Sequence, residues 1–90
     1  MDEFQINFNY EDIEYAGLVT PIPNSDKQSY RVNLESGNQE NFVEIIAEPS
    51  SSVSGNWDFV CTNGDDPIDY YDKNLLLEIG EAIEKKLTSQ

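Results

Sequence analysis

The chain has 90 residues and a mass of 10.2 kDa, with 18 acidic against 5 basic side chains, no histidine, one cysteine and a net charge of −13. Without histidine there is no Ser-His-Asp triad, no Cys-His pair and no imidazole metal ligand, and a lone cysteine forms no intrachain disulfide or four-cysteine zinc site. Five scattered cations against thirteen net negative charges exclude direct phosphate-driven binding of nucleic acid, and no apolar run approaches the ~20 residues of a membrane-spanning helix.

Ninety residues suit one domain with a thin core, because a chain of this size buries only about 60–65% of its unfolded surface. The opening MDEFQINF has neither a basic n-region nor an apolar h-region. Together with the single Cys61, this sets a cytoplasmic location as the expectation.

Residues 4–10 alternate strictly, Phe4, Ile6, Phe8 and Tyr10 against Gln5, Asn7 and Asn9, which predicts a strand with one polar face. Glu11-Asp12 is short enough to be the tip of a tight hairpin into a second strand, 13–20. There Ile13, Tyr15, Gly17 and Val19 share one parity while Ala16 and Leu18 take the other. Pro21-Ile22-Pro23-Asn24-Ser25-Asp26 is turn chemistry, and its prolines are expected to stop the ladder. A third strand, 29–35, turns Tyr30, Val32 and Leu34 inward and Arg31, Asn33 and Glu35 outward. After the turn Ser36-Gly37-Asn38-Gln39, residues 41–48 are apolar on both parities (Val43, Ile45 and Ala47 against Phe42 and Ile46), the pattern of a central strand.

Pro49 to Gly55, rich in serine, predicts a mobile loop. Residues 56–61 form a fifth strand, with Trp57, Phe59 and Cys61 on one parity. Asn63-Gly64-Asp65-Asp66 is a turn, with Gly64 suited to a left-handed position. The period then changes. Ile68, Tyr71, Leu75, Leu76, Ile79, Ala82, Ile83 and Leu87 recur at helical spacing, giving an amphipathic helix. Asp66 is its expected N-cap, Pro67 its first residue, and Asp69 faces its positive end, while Lys85 and Lys86 sit near the negative end. A start at Asp72, with 67–71 as a preceding turn, is the alternative.

Five strands followed by one helix, joined by short connections, predict an α+β fold: a meander-like antiparallel sheet with the C-terminal amphipathic helix packed across one face. A helix of ~19 residues spans ~28 Å, enough to cross a sheet of about five strands. Gly80, mid-helix, then marks a close approach to a strand or an aromatic ring. The other face of the sheet is mostly polar, with Leu18, Phe42, Ile46 and Val60 as its apolar candidates.

Function is less legible. Asp58, Asp65, Asp66, Asp69 and Asp72 cluster within fifteen residues, but from Asp58 the alternating positions are Val60 and Thr62, so the EF-hand pattern fails. Helix capping accounts for Asp66 and Asp69, and burial accounts for Cys61. Tyr70 and Leu77, seven residues apart, share a helix face with Asn74, Glu81 and Glu84, opposite Ile79 and Ile83. An apolar pair on an acidic face reads as a contact surface.

The expected function is therefore a small, acidic, non-enzymatic protein-interaction domain. It binds a partner protein with a basic surface through Tyr70, Leu77, Glu81 and Glu84, and nucleic-acid mimicry is one version of that role. The alternative is a small-molecule or divalent-metal site in the acidic loop 62–72 built on Asp65, Asp66 and Asp69, a catalytic use being left open. No cofactor and no membrane contact are expected, and the chain is a monomer or a weak homodimer.

Overall fold

The computed structural model describes residues 3–23, 28–37, 42–50 and 56–88. The expected turns at 24–26 and 38–39, and residues 51–55 of the serine-rich loop, lie outside them. Five strands, β1 (Phe4–Tyr10), β2 (Ile13–Ile22), β3 (Ser29–Ser36), β4 (Ile45–Pro49) and β5 (Trp57–Cys61), form one antiparallel sheet in the order β1-β2-β3-β4-β5. A single 3-10 turn (Pro67–Asp69) and one helix, α1 (Lys73–Thr88), complete the α+β fold. Among the described residues no helix is long and apolar enough to cross a membrane.

The first hairpin follows the sequence closely. Glu11 (φ 52°) and Asp12 (φ 63°) both take left-handed backbone, the type I′ geometry whose twist matches the flanking strands. Tyr10 stands opposite Ile13 and Phe4 opposite Val19, so the period-2 apolar sets of β1 and β2 fall on one face. The Phe8 and Tyr15 rings, cross-strand neighbours there, stack at 5.3 Å.

Two strand boundaries differ from expectation by more than one residue. β2 runs on through Pro21 and Ile22, opposite Tyr30 and Ser29 of β3. Among the described residues the β1 ladder ends at Phe4 opposite Val19, so Pro21 lies beyond it and its missing N–H removes none of the ladder bonds described between β1 and β2. β4 starts at Ile45, since Phe42, Val43 and Glu44 lie outside the strand. The Tyr71 hydroxyl takes both backbone polar groups of Val43, donating to its C=O and accepting from its N–H, each at 2.8 Å. No ladder group is left at Val43 for a strand to use.

The C-terminal segment is divided rather than continuous. Asp66 caps the 3-10 turn, its Oδ1 accepting from Ile68 N–H at 3.1 Å, with Pro67 at the first position. Tyr71 N–H closes onto Pro67 C=O at 2.8 Å, and α1 begins only when Asp72 C=O accepts from Leu76 N–H at 3.0 Å. The start at Asp72 is the one adopted. Asp69 therefore sits in the preceding turn, outside the first turn of α1.

Leu75, Leu76, Ile79, Gly80 and Ile83 form the buried stripe of α1. They pack with Ile6, Val19, Tyr30, Val32, Ile45 and Ala47 from the sheet into one continuous core. The helix lies against β1 and β5, the two outer strands, so the sheet curls around it. Gly80 is where Trp57 crosses: a Cβ there would come within 3.2 Å of Trp57 Cδ1. On the open face Ile46 stands opposite Val60, but Leu18 is set apart between Gln5 and Asn33, and Phe42 packs against the core instead. The four candidates thus make no continuous patch.

Candidate functional site

The loop between β5 and α1 is ordered by its own polar side chains. Asn63 Oδ1 accepts from Asp65 N–H at 2.9 Å, and Gly64, at φ 89°, donates its N–H to Cys61 C=O at 3.1 Å. Asp65 Oδ2 accepts from the Tyr70 hydroxyl at 2.6 Å, and Asp72 Oδ2 accepts from Tyr10 at 3.4 Å. Asp65 and Asp66 are therefore engaged in local structure, and Asp69 is exposed. Among the described residues no group of three or more acidic or cysteine side chains is placed to hold a metal ion.

The nominated contact residues separate. Tyr70 is the C-cap of the 3-10 turn and lies outside α1, so its seven-residue spacing to Leu77 does not put the two on one helix face. Glu81 is exposed on α1, while Glu84 is partly buried and lines a cleft of about 310 Å³ with Tyr30 and Trp57. Leu77 is 53% exposed, as expected of a residue opposite the buried stripe. The residue missed from sequence is Ile68. Its spacing to Tyr71 and Leu75 assigned it to the core stripe, yet it is 60% exposed. The signal was the Asp66-Pro67 start followed by a second start at Asp72, which takes Ile68 out of the helix altogether.

Ile68 and Leu77 line one groove of about 230 Å³ along β5 together with Phe59, Pro67, Leu76, Asp58, Asp66 and Lys73. Trp57 and Phe59 point to the helix side of β5 and Asp58 and Val60 to the open face. Trp57 Nε1 is buried and has no hydrogen-bond partner among the described residues. At the opposite edge of the sheet, a cleft of about 340 Å³ beside β1 is lined by Ile6, Asn7, Ala82, Lys85 and Lys86. The two clefts differ in charged lining: Asp58, Asp66 and Lys73 on the β5 side, Lys85 and Lys86 on the β1 side.

Three titratable groups of the core, Cys61, Tyr30 and Tyr71, are held toward their neutral forms. Burial, then the charges of Asp65, Asp66 and Asp69, push the Cys61 thiol up, so it is a structural thiol and not an activated nucleophile. Burial raises the Tyr30 phenol, with Glu84 adding to it, and burial raises Tyr71 against the lowering effect of its bond to Val43. Because folded values lie above unfolded ones, the unfolded chain deprotonates first. The contribution to stability is complete below about pH 8.5 for the thiol and about pH 10 for the phenols, and is lost as pH rises through the folded values. Urea midpoints are expected to fall steadily above about pH 9, with tyrosinate absorbance growing in step with unfolding. Midpoints that stay flat to about pH 11 would contradict this.

Comparison of the chain with protein-family models, curated proteins and solved structures finds no match.

Proposed function

We propose that this chain is a small acidic protein-interaction domain that docks a basic surface of another protein at the groove beside β5. The observation that carries this reading is the pairing of two large exposed aliphatic side chains, Ile68 and Leu77, in one groove that two acidic residues, Asp58 and Asp66, and one basic residue, Lys73, also line. Such a patch offers apolar area to drive association, and carboxylates to select a cationic partner and speed its approach. A pure nucleic-acid mimic needs the carboxylates alone, so the aliphatic pair favours a mixed protein surface. Glu81, exposed on α1 and close to the groove through Leu77 and Gly80, adds another carboxylate. Nothing in the loop 62–72 favours a metal site over this reading.

The test is a pull-down at about 50 mM salt comparing the native chain with an Ile68→Asp/Leu77→Asp variant. Both positions are exposed, so the variant should fold. A basic protein retained by the native chain should drop at least tenfold with the variant. It should also elute by about 0.5 M salt, where the screening length falls to a few ångströms. Equal recovery on both forms removes the groove from consideration.

A further inference from the structure

We infer that the groove is completed by a sixth strand: an extended segment of the partner, alternating aliphatic and basic side chains, that adds along the free edge of β5. This rests on the docking role proposed above and specifies how the partner binds. The backbone supplies the argument. Ser50 N–H donates to Asn56 C=O at 2.9 Å and Thr62 N–H to Glu44 C=O at 3.2 Å, on either side of the register Glu48↔Asp58 and Ile46↔Val60. Hydrogen-bonded and non-bonded pairs alternate along an antiparallel ladder. Asp58 and Val60 therefore aim their N–H and C=O at β4, and Trp57 and Phe59 aim theirs at the outer edge. β5 is the last strand of the sheet, so among the described residues no strand meets those groups. Cys61 C=O, of the same parity, is already taken by Gly64 N–H, which marks where the open stretch ends.

The side chains beneath that edge fit the same occupant. β4 fills one flank of β5, so the groove holding Ile68 and Leu77 opens on the other. A strand added about 4.8 Å beyond β5 would set every second side chain into this groove, and the alternate ones on the open face beside Asp58. Lys73 lines the groove, so the inward side chains are aliphatic, and the basic ones belong on the Asp58 side. A second copy of the chain is disfavoured, since it would bring another net −13 and another Asp58 to the same edge. The β1 edge is the poorer acceptor of a basic strand, because Lys85 and Lys86 stand beside it. Geometry thus supplies, among the described residues, edge groups that no strand meets and exposed apolar side chains at one place, and charge supplies the choice of occupant.

The probe is the capped heptapeptide Lys-Val-Lys-Val-Lys-Val-Lys, titrated against the full chain. Binding is followed through Trp57, the sole tryptophan, and through amide exchange. Binding should slow exchange of the Trp57 and Phe59 amides at least tenfold and leave those of Asp58 and Val60 unchanged. Two further peptides are N-methylated, one on its valines and one on its lysines. One of them should bind at least tenfold more weakly and the other within about twofold of the parent, because only one parity of a strand faces its neighbour. Valine sensitivity indicates antiparallel addition and lysine sensitivity parallel addition. Equal effects of the two methylations, or no binding at millimolar peptide, overturn the sixth strand. If Ile68→Asp/Leu77→Asp abolishes binding while methylation parity is irrelevant, the groove reading stands and strand addition falls. If parity sensitivity survives that variant, strand addition stands and the groove reading falls.

Discussion

Replacing Tyr71 by phenylalanine should lower the unfolding free energy by about 1–3 kcal/mol, and replacing it by alanine by about 3–5 kcal/mol. The hydroxyl donates to Val43 C=O and accepts from Val43 N–H, both at 2.8 Å, using one donor and one acceptor on a matching pair. Phenylalanine keeps the ring in a site only 2% exposed but leaves two partly buried backbone groups without their partner. Alanine also removes the ring from the junction between the 3-10 turn and α1, and leaves a cavity against the core. A domain of this size has a total stability near the low end of ~5–15 kcal/mol, so the alanine form should retain no more than about 2 kcal/mol at 25 °C. Urea melts followed by circular dichroism measure both values. In the phenylalanine variant, amide exchange at Val43 should accelerate more than exchange in β1 or β2, because the lost bond is local before it is global. Unchanged urea midpoints for Tyr71→Phe would show that water replaces the hydroxyl at no cost.

That bond also marks the limit of what periodicity can reveal. The alternation of Phe4, Ile6 and Phe8, of Tyr30, Val32 and Leu34, and of Trp57 and Phe59 is a local pattern. It identified the strands, the face each turns to the helix, and through the short connections their meander order. Gly80 was legible for a similar reason: a glycine inside a helical stripe implies a neighbour that needs the space, and Trp57 fills it. The Tyr71–Val43 contact joins residues 28 apart and has no local signature. It joins the segment before β4 to the residue between the 3-10 turn and α1, where the helical spacing that placed Ile68 in the core is broken. Half of the candidate groove was visible in the sequence, because Leu77 is an apolar outlier on an acidic helix face. The other half was hidden, because Ile68 fits the helical spacing of a helix that begins five residues later. Tyr70 misled in the same way: its spacing to Leu77 is helical, but its backbone is not.

Ile79→Ala and Ile83→Ala should each cost about 2–5 kcal/mol, whereas Leu77→Ala should stay within about 0.5 kcal/mol of the native chain. Ile79 and Ile83 are fully buried, one helical turn apart, between α1 and the sheet. Each truncation removes three methyl or methylene carbons from a core too thin to collapse around the gap, so a cavity term adds to the lost transfer energy. The two sites are neighbours, so the double variant will depart from the sum of the single ones. The single losses sum to about 4–10 kcal/mol, comparable to the whole stability of a domain near the low end of ~5–15 kcal/mol, so the double variant should have its urea transition shifted close to zero denaturant or lost. Leu77 lies only two residues before Ile79 but points the other way, and its truncation removes surface that water already reaches. The contrast fixes the rotation of α1 about its own axis. That rotation decides whether an aliphatic side chain is available beside β5 at all. Ile79 and Ile83 lie in the core and do not line the groove, whereas Leu77 lines the groove and lies outside the core, so their roles should divide: Ile79 and Ile83 governing stability, Leu77 governing binding. A Leu77→Ala variant that loses as much stability as Ile79→Ala would place Leu77 in the core and close the groove.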